Sequence, residues 1–259
     1  MILWQTIAVA FAMFSAVPVP QPVWNEKNMK YALCAFPLVG LVCALAWWAW
    51  ATLAQVWAMP SLLRAAGLCI IPILVTGGIH LDGYADTCDA MASCSSRERK
   101  QEILKDPHCG AFALIRVCVY FIAYLGLSSA VIYSFSSVIC IGLGFLLERS
   151  LSGLAVAWFP LAKNTGLAHT FATAADQRTV RRFLLFFSVF LAAGIILAGG
   201  LYGVAMVLAA GLVFGRYYQM ALAQFGGISG DLAGWFLQKA EIWMLGAFVI
   251  CQMLEEKVL

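Results

Sequence analysis

Residues 31 to 57 read YALCAFPLVGLVCALAWWAWATLAQVW, a run of 27 residues with no Asp, Glu, Lys or Arg. Roughly 20 apolar residues in a helix cross the hydrocarbon core of a bilayer, and a helix satisfies its own backbone hydrogen bonds there. The stretch therefore predicts a membrane-spanning helix, with Trp47, Trp48, Trp50 and Trp57 as anchors at one interface. Residues 1–25, 117–147 and 183–215 are equally free of charge. None of these runs alternates polar and apolar residues, which excludes a transmembrane barrel.

The whole chain has the same character: of 259 residues, 63% are hydrophobic and 11% charged, with a mean hydropathy of +0.88. A soluble domain has about a quarter of its residues charged, so a water-soluble protein is excluded. The net charge of +3 gives no support for a nucleic-acid partner. Nine cysteines without CxxC spacing indicate neither disulfides nor zinc.

Outward from the first span, the N-terminal run lacks the basic start and cleavage site of a secretory signal. Pro18, Pro20 and Pro22 end its helix near Ala16. Residues 61–79 form a second span, 111–160 a helical hairpin, 183–220 another with Gly199, Gly200 and Gly203 at its turn, and 242–254 a short final span. The expectation is an all-α, polytopic membrane bundle of about six to eight spans. It forms a single domain over residues 1–259, with polar segments at about 82–106 and 163–182. The second segment has four bases against one acid, so the positive-inside bias makes it cytoplasmic, and two intervening spans put the first on the same side.

Ten of the 29 charges fall within residues 82–106. In Gly77-Gly-Ile-His-Leu-Asp-Gly-Tyr-Ala-Asp-Thr-Cys-Asp89, Asp82, Asp86 and Asp89 stand at i, i+4 and i+7, on one face of a helix. Stacked carboxylates repel, so something positive must compensate. The bland alternative is a solvated face paired with Arg97, Arg99 and Lys100. No base occurs between Arg64 and Arg97, and a hard cation held by oxygen ligands, Mg²⁺ above all, accounts better for the acids. The following Arg97-Glu-Arg-Lys-Gln-Glu-Ile-Leu-Lys-Asp-Pro-His-Cys-Gly110 sets bases and a glycine beside the acids, as a phosphate or diphosphate group requires.

Gly226-Gly-Ile-Ser-Gly-Asp231 has the glycines to cradle an anion, or to make a plain turn. Arg149 and Arg216 border long apolar runs and either snorkel to the interface or reach a polar interior. His108 and Cys109, without a second ligand pair, are weak evidence for a metal.

The string GGIHLDGYADTCDA, followed by R-E-R and LKDPHCGAFA, resembles the signature of the cobalamin synthase (adenosylcobinamide-GDP ribazoletransferase) family. Weaker agreement extends through PVP at 18–20, FPLVGL at 36–41, Glu148-Arg149, PLAKNTGLAHTF at 160–171 and GGISGD at 226–231. Ala90 stands where the family pattern has glycine.

The resemblance implies attack by the hydroxyl of α-ribazole, or of its 5′-phosphate, on the corrinoid-side phosphorus of adenosylcobinamide-GDP, with GMP leaving. That chemistry rests on positioning and charge neutralisation. Asp82, Asp86 and Asp89 would hold Mg²⁺, while Arg97, Arg99, Lys105, Arg149 and Asp231 would contact substrate. The general base would be one of the three aspartates, with Asp89 favoured, or else Asp106 or His80. The expected setting is the bacterial inner membrane, with the site on the cytoplasmic side and the oligomeric state open, a homo-oligomer included. The rival function is a transporter whose Asp cluster binds a coupling cation; it predicts carboxylates in mid-span, whereas the acids lie in or beside polar segments, with Glu148 the nearest exception.

Overall fold

The computed structural model describes residues 2–258, with side chains through 255, so Met1 and Leu259 at the ends of the expected domain lie outside it. Among the described residues there are twelve α-helices. They are α1 (Ile2–Phe14), α2 (Glu26–Met29), α3 (Ala32–Val56), α4 (Ser61–Thr76), α5 (Ile79–Ala92) and α6 (Arg97–Ile103). The second half of the chain adds α7 (Ala111–Ala130), α8 (Phe135–Trp158), α9 (Leu167–Ala174), α10 (Gln177–Gly199), α11 (Leu201–Met220) and α12 (Gly230–Val258). A π turn, Ala221–Phe225, extends α11.

Six helices (α3, α7, α8, α10, α11 and α12) are long and apolar enough to cross a membrane, and α4 with α5 makes a seventh crossing if the bent pair counts as one. The chain is a multi-pass, all-α membrane protein. Its outward faces carry large apolar residues, such as Phe186, Phe190 and Leu197 on α10 and Ile115, Val119 and Ile122 on α7. In a soluble bundle these would be buried; here they face lipid.

The central helix is α8, packed against α3, α10 and α12. Gly144, Ser150, Ser152, Gly153, Ala155 and Ala157 keep its surface narrow, and small residues let membrane helices approach closely. The Ser150 and Ser188 hydroxyls, 2.8 Å apart, tie α8 to α10. A capping box between Ser134 and Ser137 starts α8.

The N-terminal run, read as a span or a re-entrant segment ending near Ala16, forms a helix of only 13 residues, too short to cross. One expectation for the spans needs correction. The last begins at Gly230, not at 242. Gln238, Lys239 and Glu241 lower the hydropathy of that stretch, yet Gln238 and Glu241 are buried against protein, so their polarity faces the bundle interior. The linkers at 57–60, 131–134 and Gly200 are short and lie at one end of the bundle. The polar segments gather at the other: Lys163 Nζ donates to the Gln101 carbonyl (3.1 Å), Lys30 pairs with Asp176 (3.8 Å), and the Ala16 amide donates to the Val75 carbonyl (2.8 Å).

Candidate active site

The bend between α4 and α5 creates the site. Gly77 and Gly78 take φ values of +66° and +80°, a left-handed conformation that side chains resist, and the axis turns by 96°. The bend carries α5 across the start of α12 with Asp82, Asp86 and Asp89 on one face. The crossing is tight at two glycines. A β-carbon at Gly83 would sit 2.8 Å from the Asp231 Cα, and one at Gly234 would sit 2.7 Å from the His80 carbonyl oxygen. Backbone contact of this kind draws Asp231 to the Asp82 turn.

A second junction brings in Lys163. The Ile228 amide donates to the Pro160 carbonyl (2.8 Å) and the Ala162 amide to the Ile228 carbonyl (2.9 Å), so the PLAK and GGISGD segments pair as a short parallel bridge. Lys163 and Lys105 then line one cavity of about 220 Å³ with His169, Ser229 and Asp231. Burial, then the neighbouring Lys105 charge, holds the Lys163 amine below the usual lysine range.

Leu167, Ala168, Gly230 and Asp231 also border a second cavity of about 320 Å³, whose wall includes Phe14, Phe36, His80, Asp82 and Phe171. Phe14 stacks at 4.3 Å from Phe36 and 5.3 Å from Phe171. The result is one cleft with a cationic half and an aromatic half, and Asp231 at the junction. His80 is 6% exposed, 5.7 Å from the Phe36 ring, and its Nε2 has no hydrogen-bond partner among the described residues.

Asp86 and Asp89 line neither cavity, but the charges of Asp82, Asp231 and Asp89 all reach Asp86. Asp89 packs its carboxylate where a side chain at Gly110 would stand, which docks the Lys105–Gly110 loop on α5. Among the described residues no Lys or Arg lies within 4.0 Å of any of these four carboxylates. Nor do three His, Cys, Asp or Glu side chains close into a ready-made ligand set. The donor chemistry still fits a hard divalent cation, because Mg²⁺ keeps several waters and binds through one or two carboxylates plus substrate phosphate.

Four expected site residues, Arg97, Arg99, Asp106 and Arg149, fall elsewhere. Arg97 donates to the carbonyls of Leu222 (3.2 Å) and Ala223 (3.4 Å), where a cation is favoured by the negative end of the helix dipole. Arg99 pairs with Glu102 at 2.8 Å on the surface. Lys100 bonds Gln224. The bland alternative, pairing of these bases with the aspartates, is therefore absent among the described residues, and α6 instead clamps the π turn after α11. Asp106 sits in an exposed loop, held below the usual carboxylate range by the His108 amide and imidazole, and lines neither cavity.

Arg149 is the fourth. It is 1% exposed inside α8, bonded to the neighbouring Glu148 and to the Phe145 carbonyl (3.0 Å) and Cys43 Sγ (3.4 Å), and borders neither cavity. Glu148 and Glu241 are buried in mid-helix, which corrects the reading that acids keep to polar segments. The space beside them is about 10 Å³, the size of one water and too small for a substrate. Sequence reasoning missed Lys163 and His169 as site residues, although both belong to the conspicuous PLAKNTGLAHTF segment.

A family profile described as cobalamin-5-phosphate synthase matches residues 6–249. A protein from Lachnoclostridium phytofermentans, an adenosylcobinamide-GDP ribazoletransferase by name, is 43% identical over 94% of this chain and 93% of its own length. Relatives of the same name from Desulfitobacterium hafniense (30% identical, 93% of this chain and 95% of the relative) and Clostridium botulinum (29% identical, 96% and 98%) match as fully. No solved structure matches the chain. With the profile and these relatives spanning nearly its whole length, the chain belongs to the cobalamin-5-phosphate synthase family.

Proposed function

We propose that this transferase joins adenosylcobinamide-GDP to α-ribazole, or to α-ribazole 5′-phosphate, releasing GMP, from the face of a bacterial inner membrane that meets the cytoplasm. The observation that carries the reading is Asp231, the one carboxylate common to the cationic and aromatic halves of the cleft. A diphosphate suits the half with Lys105 and Lys163. A nucleoside with an apolar base suits the half walled by Phe14, Phe36 and Phe171. The two substrates then meet at Asp231.

In the reaction the acceptor hydroxyl oxygen forms a bond to the corrinoid-side phosphorus. The bond from that phosphorus to the bridging oxygen breaks, and GMP leaves with the oxygen and its electrons. Asp231 would accept the hydroxyl proton, preferred to Asp89 in this role because it lines both cavities and Asp89 lines neither. Lys105 and Lys163 hold the diphosphate oxygens. His80, buried at the end of the aromatic half, orients the acceptor. Asp82 and Asp86, with Asp89 behind them, would hold Mg²⁺. When bound, that ion neutralises charge on the phosphoryl oxygens.

The cytoplasmic assignment rests on charge. Lys27, Lys30, Arg97, Arg99, Lys100, Lys105, Lys163 and Arg178 all lie at the end of the bundle that carries the cleft. The test is an assay of GMP release from adenosylcobinamide-GDP and α-ribazole by purified protein in lipid, with chelator and then with Mg²⁺. Release that stops with chelator and resumes with Mg²⁺, and that Asp82→Asn abolishes, supports the reading. Wild-type turnover in Asp82→Asn, or restoration by zinc alone, overturns the metal assignment.

A further inference from the structure

A third cavity, of about 330 Å³, shares no lining residue with the cleft. It gathers Arg116, Arg216 and Lys239, residues far apart in sequence that arrive on α7, α11 and α12. Cys88, Met91 and Trp235 complete most of its wall. Among the described residues none of the three cations has a carboxylate within 4.0 Å. Lys239 has the Tyr84 ring 5.6 Å from its nitrogen, and the charge of Arg116 reaches it.

Its position is as telling as its charge. Arg116 lies near the start of α7, Arg216 near the end of α11 and Lys239 in the first third of α12, so all three stand toward the end of the bundle that carries the polar loops. Among the described residues the helices α7 and α11 do not pack extensively on each other, and the cavity lies between them with α5 and α12 completing its wall. Deeper along the same helices the surface turns apolar: Val119 and Ile122 on α7, Leu208 and Leu212 on α11, and Trp243, one turn beyond Lys239.

Three unneutralised cations above an apolar gap have the layout of an amphiphile's binding site. We infer that this cavity binds an anionic phospholipid, with the phosphate of the headgroup on Arg116, Arg216 and Lys239 and an acyl chain in the gap beside Trp243. Snorkelling alone would send each cation to the interface separately; convergence of three helices on one concavity requires a shared ligand. Basic pockets between membrane helices on the cytoplasmic side recognise such headgroups. The lipid would bridge α7 to the α11–α12 pair and so brace α5, which carries the aspartates.

The test uses the full-length protein, delipidated in neutral detergent. Phosphatidylglycerol, phosphatidylcholine and inorganic phosphate are each added, with thermal unfolding and native mass spectrometry as readouts. Phosphatidylglycerol should raise the melting temperature by several degrees and stay bound in the mass spectrum, while the other two do not. Arg116→Gln and Arg216→Gln should each weaken retention roughly fivefold, as loss of one interfacial cation does. Arg178→Gln, an exposed cation outside the cavity, should leave it unchanged.

Equal retention by Arg116→Gln and wild type, or equal weakening by Arg178→Gln, overturns the site, since attraction would then be diffuse. Stabilisation by inorganic phosphate without phosphatidylglycerol overturns the lipid as its occupant. If a variant fails to fold, the wild-type arms still decide: indifference to phosphatidylglycerol over phosphatidylcholine overturns the proposal.

Discussion

Gly83 of α5 lies against the backbone of Asp231 at the start of α12, so close that a β-carbon there would come within 2.8 Å of the Asp231 carbonyl oxygen. The glycine is therefore part of the site, because it sets how far Asp231 stands from Asp82.

A methyl group at Gly83 must push α5 from α12. Overpacking of this kind costs about 1–3 kcal/mol, and a misplacement of about 1 Å at a reacting centre costs roughly 100-fold in rate. Gly83→Ala is expected to insert in the membrane, melt a few degrees lower and lose most of its activity. Gly126→Ala, at a helical glycine with nothing within 4 Å of the added carbon, should match wild type in both measurements. Equal activity in the two variants would mean that the crossing does not position the carboxylates.

Asp231 and Asp86 should fail in different ways. If Asp231 takes the proton of the attacking hydroxyl, Asp231→Asn lowers kcat about 10²–10⁴-fold, the usual contribution of a general base, and leaves KM for both substrates nearly unchanged. Asp86→Asn removes a carboxylate from the metal-holding face, so its activity should partly recover as Mg²⁺ is raised. Steady-state kinetics over a Mg²⁺ series separates the two; a shared Mg²⁺ rescue would place Asp231 with the metal ligands.

The outline of the bundle was legible from charge-free runs such as 31–57 because hydropathy tracks lipid exposure. It fails at α12, where Gln238 and Glu241 are polar residues turned toward protein. The placing of the three aspartates on one helix was legible too, because their i, i+4 and i+7 spacing matches the turn of α5. Asp231 was named as a substrate contact only through the family resemblance; its partnership with Asp82 depends on the helix crossing at Gly83 and Gly234, a contact that sequence spacing does not encode. Arg97 and Arg99 misled for the opposite reason. Proximity in sequence to the acids suggested a shared ligand, but α6 folds away to clamp the π turn, while Lys163 reaches the cleft through the bridge between Leu161 and Ile228.

Lys163 gives the cleft a pH signature. Burial and Lys105 hold its amine below the ordinary lysine range, so it loses its charge at a lower pH than an exposed lysine does. A charged amine is what the diphosphate needs, and activity should fall on the alkaline side through that lowered value. Stability moves the other way: with the folded value below the unfolded one, the charged amine costs stability at neutral pH, and the cost fades as pH rises from the lowered value to the ordinary lysine value. Lys163→Arg keeps its charge throughout and should shift the alkaline limb of kcat/KM upward, while Arg99→Gln should leave the profile unmoved. An unchanged limb in Lys163→Arg would remove Lys163 from diphosphate binding.

Arg149 offers the sharpest contrast between a structural and a substrate role. Its guanidinium is enclosed by Glu148, Cys43 and the Phe145 carbonyl, with Glu241 near enough for their charges to interact. Removing one partner of a buried pair leaves an uncompensated charge, at a cost of about 3–5 kcal/mol. Arg149→Met should therefore lower the melting temperature in detergent sharply, and adding Glu148→Gln to the same chain should recover much of the loss, because the stranded carboxylate is then gone. A substrate-binding arginine would behave differently: Arg149→Met would raise KM for adenosylcobinamide-GDP with little change in melting temperature, and Glu148→Gln would give no rescue. The double variant decides, since stability is restored only if the two side chains answer to each other.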